Sequence, residues 1–267
     1  MNTEEHAKKI REDIVKMVTA AKSGHPGGSL SATDILSVLY FEYMDINEEN
    51  AGSTKRDRFV LSKGHASPVL YAVLKEKGIL KEDINTFRQI NSKLQGHPNM
   101  NYVKGVDMST GSLGQGISAA VGMAIANKVE KNDHRVYALL GDGECEEGQV
   151  WEAAMAAAHF QLDNLCAFVD FNGLQIDGDI HQVMDPTPID KKFEAFRWHV
   201  IMIDGHNYAE IRKALDEAKT IKGKPTMIVA KTIKGKGVSF MENKAAWHGV
   251  APTEEECIAA VKEIREG

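Results

Sequence analysis

Cysteine is scarce: Cys145, Cys166 and Cys257 are the only three in 267 residues, and their spacing matches neither a disulfide framework nor a structural zinc site. At least two of them are expected to be ordinary small core or near-surface residues. No apolar run approaches the roughly 20 residues needed to cross a bilayer. The opening MNTEEHAKKIRED is too charged to form the apolar core of a secretion signal. These absences predict a cytoplasmic chain with no membrane span. An excess of positive charge is also lacking, since 32 Lys and Arg face 38 Asp and Glu for a net charge of -6. Nothing therefore draws the whole chain to nucleic acid, although a local cationic site for an anion stays open. The dinucleotide fingerprint Gly-x-Gly-x-x-Gly is missing from the junction GDGECEEG. The KGKG at Lys234 to Gly237 lacks the spacing of a nucleotide-hydrolase phosphate loop.

What the chain does contain is enough apolar surface for a sizeable core, with 43% hydrophobic and 26% charged residues. Helical periodicity of Ile10, Ile14, Met17 and Val18 predicts a first helix over roughly residues 4 to 22. Ser31 and Asp34 read as a capping-box variant opening a second helix, which leaves His25, Gly27 and Gly28 in the loop before it. Strands are expected at RFVLS, Arg135 to Leu140, Leu165 to Val169, WHVIMID and PTMIVAKT. Helices are expected at Val69 to Lys77, Gly116 to Val129, WEAAMAAAHFQ and Asn207 to Thr220, with a last one opened by Thr253 and Glu256. Asn207 with Glu210 reads as another capping box, and residues 85 to 113 read as mostly loop. The alternation predicts an α/β fold: a mainly parallel sheet with helices on both faces and ligands beyond the carboxyl ends of the strands. A single domain over 1–267 is the simplest organisation, with residues after about 235 wrapping its surface.

The sharpest local signal starts at Gly141-Asp142-Gly143 and reaches Asn172 thirty positions after Asp142. It resembles the thiamin-diphosphate motif, which opens Gly-Asp-Gly and closes on Asn after a similar distance. Asp142 offers an anionic oxygen, Asn172 a carbonyl oxygen and the backbone near Leu174 a third, a set suited to magnesium completed by diphosphate and water. A crossover helix between the two strands would bring both loops to one sheet edge. The Gly143 amide is a candidate donor to a phosphate oxygen.

Four histidines lie beside glycine or proline in expected loops: His25 in SGHPGG, His65 in KGHAS, His97 in QGHP and His248 in WHGVAP. Each could be a surface residue, but four that converge could bind phosphate or sugar hydroxyls and relay protons. Their dispersed spacing does not imitate a zinc-binding helical pair. Together, SGHPGGSLSATDIL, RFVLSKGHASPVLYAVL, LQGHPN, MSTGSLGQGISAAVGMA, GDGECEEGQVWEAAMAAAHFQLDNL, DFNGLQIDG and KTIKGKGVSFMENKAAWHGVAP resemble the amino-terminal region of the transketolase family, over about residues 10 to 255. The similarity extends to the amino-terminal subunits of split, two-chain transketolases.

That resemblance implies a thiamin-diphosphate fold in which Asp142, Asn172 and the Leu174 carbonyl hold Mg2+, with Ca2+ or Mn2+ as substitutes. It implies that His65, Gly143 and His248 address the diphosphate, and that Gly111 to Gly116 runs beneath the cofactor with Gly114 in that loop and Leu113 near the thiazolium. His25, His97 and His248 would face the sugar as catalytic residues, and Glu147 would lie at a contact between subunits. For the last, a carboxylate attracted by helix-start amides is the plainer alternative. The implied activity is transfer of a two-carbon ketol unit between sugar phosphates, such as xylulose 5-phosphate with ribose 5-phosphate in the pentose phosphate pathway. The pyrimidine-binding domain and its activating glutamate have no counterpart here, which implies that the partner is a carboxy-terminal transketolase subunit, in a heterotetramer with two copies of each chain. Split enzymes for branched or sulfosugar phosphates, a 1-deoxyxylulose-phosphate-synthase-like enzyme and a noncatalytic cofactor- or sugar-phosphate-binding protein are the alternatives.

Overall fold

In the computed structural model, which describes residues 1–267, a long amphipathic helix leads the chain. Helix α1 (Thr3–Ala21) is closed at its start by a reciprocal box between Asn2 and Glu5. Helices α2 (Pro26–Ser31) and α3 (Thr33–Val38) follow, then β1 (Arg58–Leu61), α4 (Ser67–Glu76) and the long loop to α5 (Gln115–Val129). Next come β2 (Val136–Gly141), α6 (Gly148–His159) and β3 (Leu165–Phe171). A small hairpin of β4 (Leu174–Gln175) and β5 (Gly178–Asp179) leads to the short helices α7 (Ile180–Val183) and α8 (Ile189–Ala195). The chain ends with β6 (His199–Asp204), α9 (Tyr208–Thr220), β7 (Thr226–Lys231) and α10 (Glu254–Glu266).

Five strands form one parallel sheet in the order β1-β2-β3-β7-β6, as the alternation of strand and crossover helix requires. Both faces are covered, so successive side chains of one strand enter different cores. Tyr137, Leu139, Cys166 and Phe168 join the larger core with α1, α3 and α4. Val136, Ala138, Leu165, Ala167 and Val169 join the smaller one with α5, α6 and α8. Near-continuous apolar strands are the result. Register aligns the carboxyl ends, with Gly141 beside Asp170 and Phe171 beside Lys231, so the loops that follow β1, β2, β3 and β7 gather at one edge.

The second helix departs from expectation. It begins at Pro26, so Gly27 and Gly28 are helical, and Ser31 and Asp34 form no capping box. Proline suits the first helical turn, while the Ser31 hydroxyl donates to Asp170 at 2.6 Å and Asp34 serves a separate buried network. At α9 only half of the expected box forms, because Glu210 accepts the Asp204 amide instead of capping Asn207. The box at Thr253 and Glu256 is reciprocal. The hairpin and helices α7 and α8 were not expected; α8 is held by Phe193 packing on Trp151 and Trp198. All three cysteines are free, with Cys145 and Cys166 buried. Beyond residue 235, Val238 and Met241 are fully buried, and Arg265 of α10 pairs with Glu12 of α1 at 2.8 Å.

Two glycines of α5 make opposite predictions. A Cβ on Gly116 would stand 2.6 Å from the Ser62 Cα, whereas one on Gly122 would meet nothing within 4 Å. Gly116→Ala is expected to lose about 1–3 kcal/mol through overpacking. Gly122→Ala should gain up to about 1 kcal/mol from helix propensity. Urea unfolding of the two variants beside the parent measures both.

Candidate functional site

A cavity of about 270 Å³ opens at the carboxyl edge of the sheet, with Asp142, Asn172, Leu174, Lys63, Lys234 and His248 among its lining residues. Asp142 follows β2, Asn172 follows β3, and Lys234 lies three residues past β7, so three adjacent strands deliver them. Asp142 Oδ2 accepts the Gly173 amide at 2.6 Å, which ties the β2 loop directly to the loop bearing Asn172 and Leu174.

The electrostatics are unequal across this edge. Asp170 is fully buried and paired: Lys63, Ser31 and Thr232 all donate to it. Burial works to raise its carboxyl, but the Lys63 charge and these hydrogen bonds outweigh burial and hold it below the ordinary range. Asp142, 3% exposed, receives only two backbone amides, from Gly143 at 2.8 Å and from Gly173. Burial and the charge of Asp170 push its carboxyl up to about 6. An anion so poorly compensated is a natural seat for a cation. Lys234 is buried as well; desolvation and the nearby Lys63 bring its ammonium down to about 8.

The imidazoles converge beside these charges. His65 and His248 stack at 5.1 Å between ring centroids, and His25 meets both edge-on at 5.3 and 5.4 Å. Burial is the main cause that lowers all three, to about 4 for His25, to about 3 for His248 and well below the ordinary value for His65. They are therefore neutral donors and acceptors near pH 7. His248 Nδ1 accepts from Lys234 Nζ at 2.9 Å, which leaves its Nε2 as the protonated, donating nitrogen. His25 Nδ1 is buried without a partner, an orphan that a polar ligand would satisfy.

Of the residues singled out from sequence, His65, Leu113, Asp142, Gly143, Glu147, Asn172, Leu174 and His248 line this one cavity. Gly114 stands behind it, donating its amide to Glu144 at 2.9 Å. Gly111 is apposed to the His97 ring, where a Cβ would come within 2.8 Å. His97 itself opens onto a separate, larger cleft of about 830 Å³ with Arg88 and Ser23. The Gly143 amide, expected to address a phosphate, is engaged by Asp142 Oδ1 here.

Sequence reading passed over Lys63, Asp170, Glu144 and Lys234. Lys63 sits in the quoted KGHAS and Asp170 opens the quoted DFNGLQIDG, so placement just past a buried strand was the available signal. Glu144 is 2% exposed and accepts from Ser62 and from the Gly114 and Gly141 amides, bracing three loops at once. Lys234 belongs to the KGKG dismissed as an imperfect phosphate loop.

The donor set discriminates among metals. No three His, Cys, Asp or Glu side chains gather to hold an ion, which argues against a zinc centre. One carboxylate, the Asn172 carboxamide oxygen and the Leu174 carbonyl make an all-oxygen set. Such a set fits a hard cation whose remaining positions are filled by phosphate and water. Two buried ammonium groups and the neutral imidazoles fit the accompanying anion.

Residues 2–265 match the family described as transketolase, thiamine diphosphate binding domain. A 6-deoxy-6-sulfo-D-fructose transketolase subunit from Clostridium sp. strain MSTE9 is 46% identical, over 99% of this chain and 96% of that protein. One of the two subunits of an apulose-4-phosphate transketolase, from Phocaeicola vulgatus, is 41% identical, over 97% of this chain and 92% of its own length. The human transketolase is 44% identical over 91% of this chain, but the match spans only 39% of that longer protein. The crystal structure of transketolase from Campylobacter jejuni superposes with a TM-score of 0.93 and 39% identity, covering 99% of this chain and 43% of the other. A match over nearly every residue, on the fold that sequence similarity calls for, means that the chain belongs to the transketolase family, of which it carries the thiamine diphosphate binding domain.

Proposed function

We propose that this chain is the diphosphate-binding subunit of a two-chain transketolase that transfers a two-carbon ketol unit from a ketose to an aldose phosphate. The observation that carries this reading is the union, in one cavity at the sheet edge, of an undercompensated carboxylate, two further oxygen donors and two buried lysines. The whole span 1–267 acts as a single unit, since relatives of the same length are themselves described as subunits. A carboxy-terminal subunit then supplies the pyrimidine-binding domain and the acid that activates the cofactor. Exposed Val129, Met155 and Phe160 on α5 and α6 favour a further contact between copies of this chain, with Glu147 at its margin.

Thiamin diphosphate, once bound, supplies the electron sink that carbon-carbon cleavage needs. Asp142, Asn172 and the Leu174 carbonyl would hold Mg2+, with Ca2+ or Mn2+ as substitutes. Lys63, Lys234, His65 and His248 would bind the diphosphate, and the Gly143 amide would reach it only by exchanging its present acceptor. Leu113 in the Gly111 to Gly114 loop would orient the thiazolium. His25, with its free Nδ1, and His248, with its donating Nε2, would hold sugar hydroxyls and move protons at those atoms. His97 would meet the sugar from the adjoining cleft.

The named substrates of the two subunit-length relatives, a sulfosugar and a branched sugar phosphate, favour a specialised donor over xylulose 5-phosphate. The test is reconstitution with the partner subunit, thiamin diphosphate and magnesium, followed by kcat/KM for 6-deoxy-6-sulfo-D-fructose, apulose 4-phosphate and xylulose 5-phosphate. At least a tenfold preference for one of the first two is expected. Xylulose 5-phosphate as the best donor would return the chain to the pentose phosphate role, and no ketol transfer from any donor would refute the enzymatic reading.

A further inference from the structure

Behind the cavity, a second buried network grips the loop that carries Lys234. Its centre is Asp34 on α3, which is 3% exposed. Asp34 Oδ1 accepts the Tyr208 hydroxyl at 2.6 Å, and Oδ2 accepts Arg11 Nη2 at 2.6 Å and His206 Nδ1 at 2.8 Å. On its far side the same imidazole accepts the backbone amide of Ile233 at Nε2, 2.8 Å away. Those two bonds fix the ring as the tautomer protonated at Nδ1. Arg11 Nε donates in turn to the Lys236 carbonyl at 3.2 Å. Close approach of that guanidinium requires glycine at 237, where a Cβ would lie 3.0 Å from Arg11 Cδ and φ is +92°.

Two backbone groups that flank Lys234, the Ile233 amide and the Lys236 carbonyl, therefore hang from a single carboxylate on a helix about 200 residues earlier in the chain. Between them the Lys234 side chain turns the other way, to the Leu174 carbonyl at 2.8 Å and His248 at 2.9 Å. We propose that His206 is a positioning residue: through Nε2 it holds the Ile233 amide and so aims the Lys234 ammonium, and with Asp34 it sets the affinity of the cavity for a diphosphate that neither residue touches. The inference rests on the reading that this cavity takes the diphosphate of thiamin diphosphate.

Two variants separate this role from mere satisfaction of Asp34. His206→Asn places an amide nitrogen near the position of Nδ1, keeping the donor to Asp34 but losing the acceptor for Ile233. His206→Gln places an oxygen near the position of Nε2, keeping the acceptor and losing the donor. Thiamin diphosphate binding to the full chain in complex with its partner, at saturating magnesium, is measured by calorimetry beside thermal unfolding of each variant. H206N is expected to weaken binding about tenfold, the effect of one lost hydrogen bond, while H206Q stays within about threefold of the parent. The reverse order, or parental affinity in both, overturns the proposal. Should H206N fail to fold, H206Q decides alone, a tenfold loss counting against the proposal and near-parental binding for it. A parent complex that binds no thiamin diphosphate would instead refute the cofactor reading itself.

Discussion

Purified alone and given thiamin diphosphate, magnesium and a ketose donor, this chain is expected to release no measurable aldose, and addition of the carboxy-terminal subunit is expected to raise turnover by at least about a thousandfold. The reason is chemical. Positioned acids and bases contribute about 10²–10⁴ each, and the acid that must act on the aminopyrimidine is implied to belong to the partner. The groups this chain brings to its cavity are suited to grip and orientation: two lysines, neutral imidazoles and one cation-seeking carboxylate. A coupled assay of aldose release, run at fixed concentration of this chain against rising partner, reads the dependence directly. Full turnover from the chain by itself would sink the two-subunit reading while leaving the cavity intact.

The second large effect is expected at Asp142. Asp142→Ala removes the sole carboxylate of the proposed oxygen set together with the acceptor that ties Gly173 to the β2 loop. Loss of an outer partner of a metal ligand costs about 10–100-fold in affinity. Loss of the charged ligand itself should therefore weaken magnesium-supported thiamin diphosphate binding by more than about 100-fold. His97→Ala serves as the contrast. His97 opens onto the adjoining cleft, so cofactor affinity should stay within about threefold, while kcat/KM falls about 10- to 100-fold through a lost substrate hydrogen bond. Calorimetric titration of both variants separates the cases; equal cofactor affinity in D142A and the parent would remove Asp142 from the metal role.

Much of this arrangement was legible beforehand because strand-to-loop junctions are strong signals. Apolar strands ending at Leu140 and Val169, each followed by a turn-forming pair, predicted that Asp142 and Asn172 would emerge at one edge, and the register of β2 with β3 puts them there. Lysines carry no comparable signal. Lys63 and Lys234 read as ordinary loop residues until burial distinguishes them, at 1% and 2% exposure, from solvated ones. Ser31 and Asp34 misled for a related reason: their spacing imitates a local cap, but their partners are Asp170 and His206, more than 130 residues away. The β4–β5 hairpin escaped because strands of two residues hold no periodicity to read.

The insertion of β7 between β3 and β6 has a consequence for biosynthesis. Until the ribosome has released residues 226–231, β6 has no strand to pair with, and the open edge of β3 is exposed along its length. Only then can the amide of Gly235 reach the carbonyl of Gly27 and tie α2 to the segment that follows β7. Nascent chains stalled short of that point should be sticky and protease-sensitive, since unpaired edges recruit other chains.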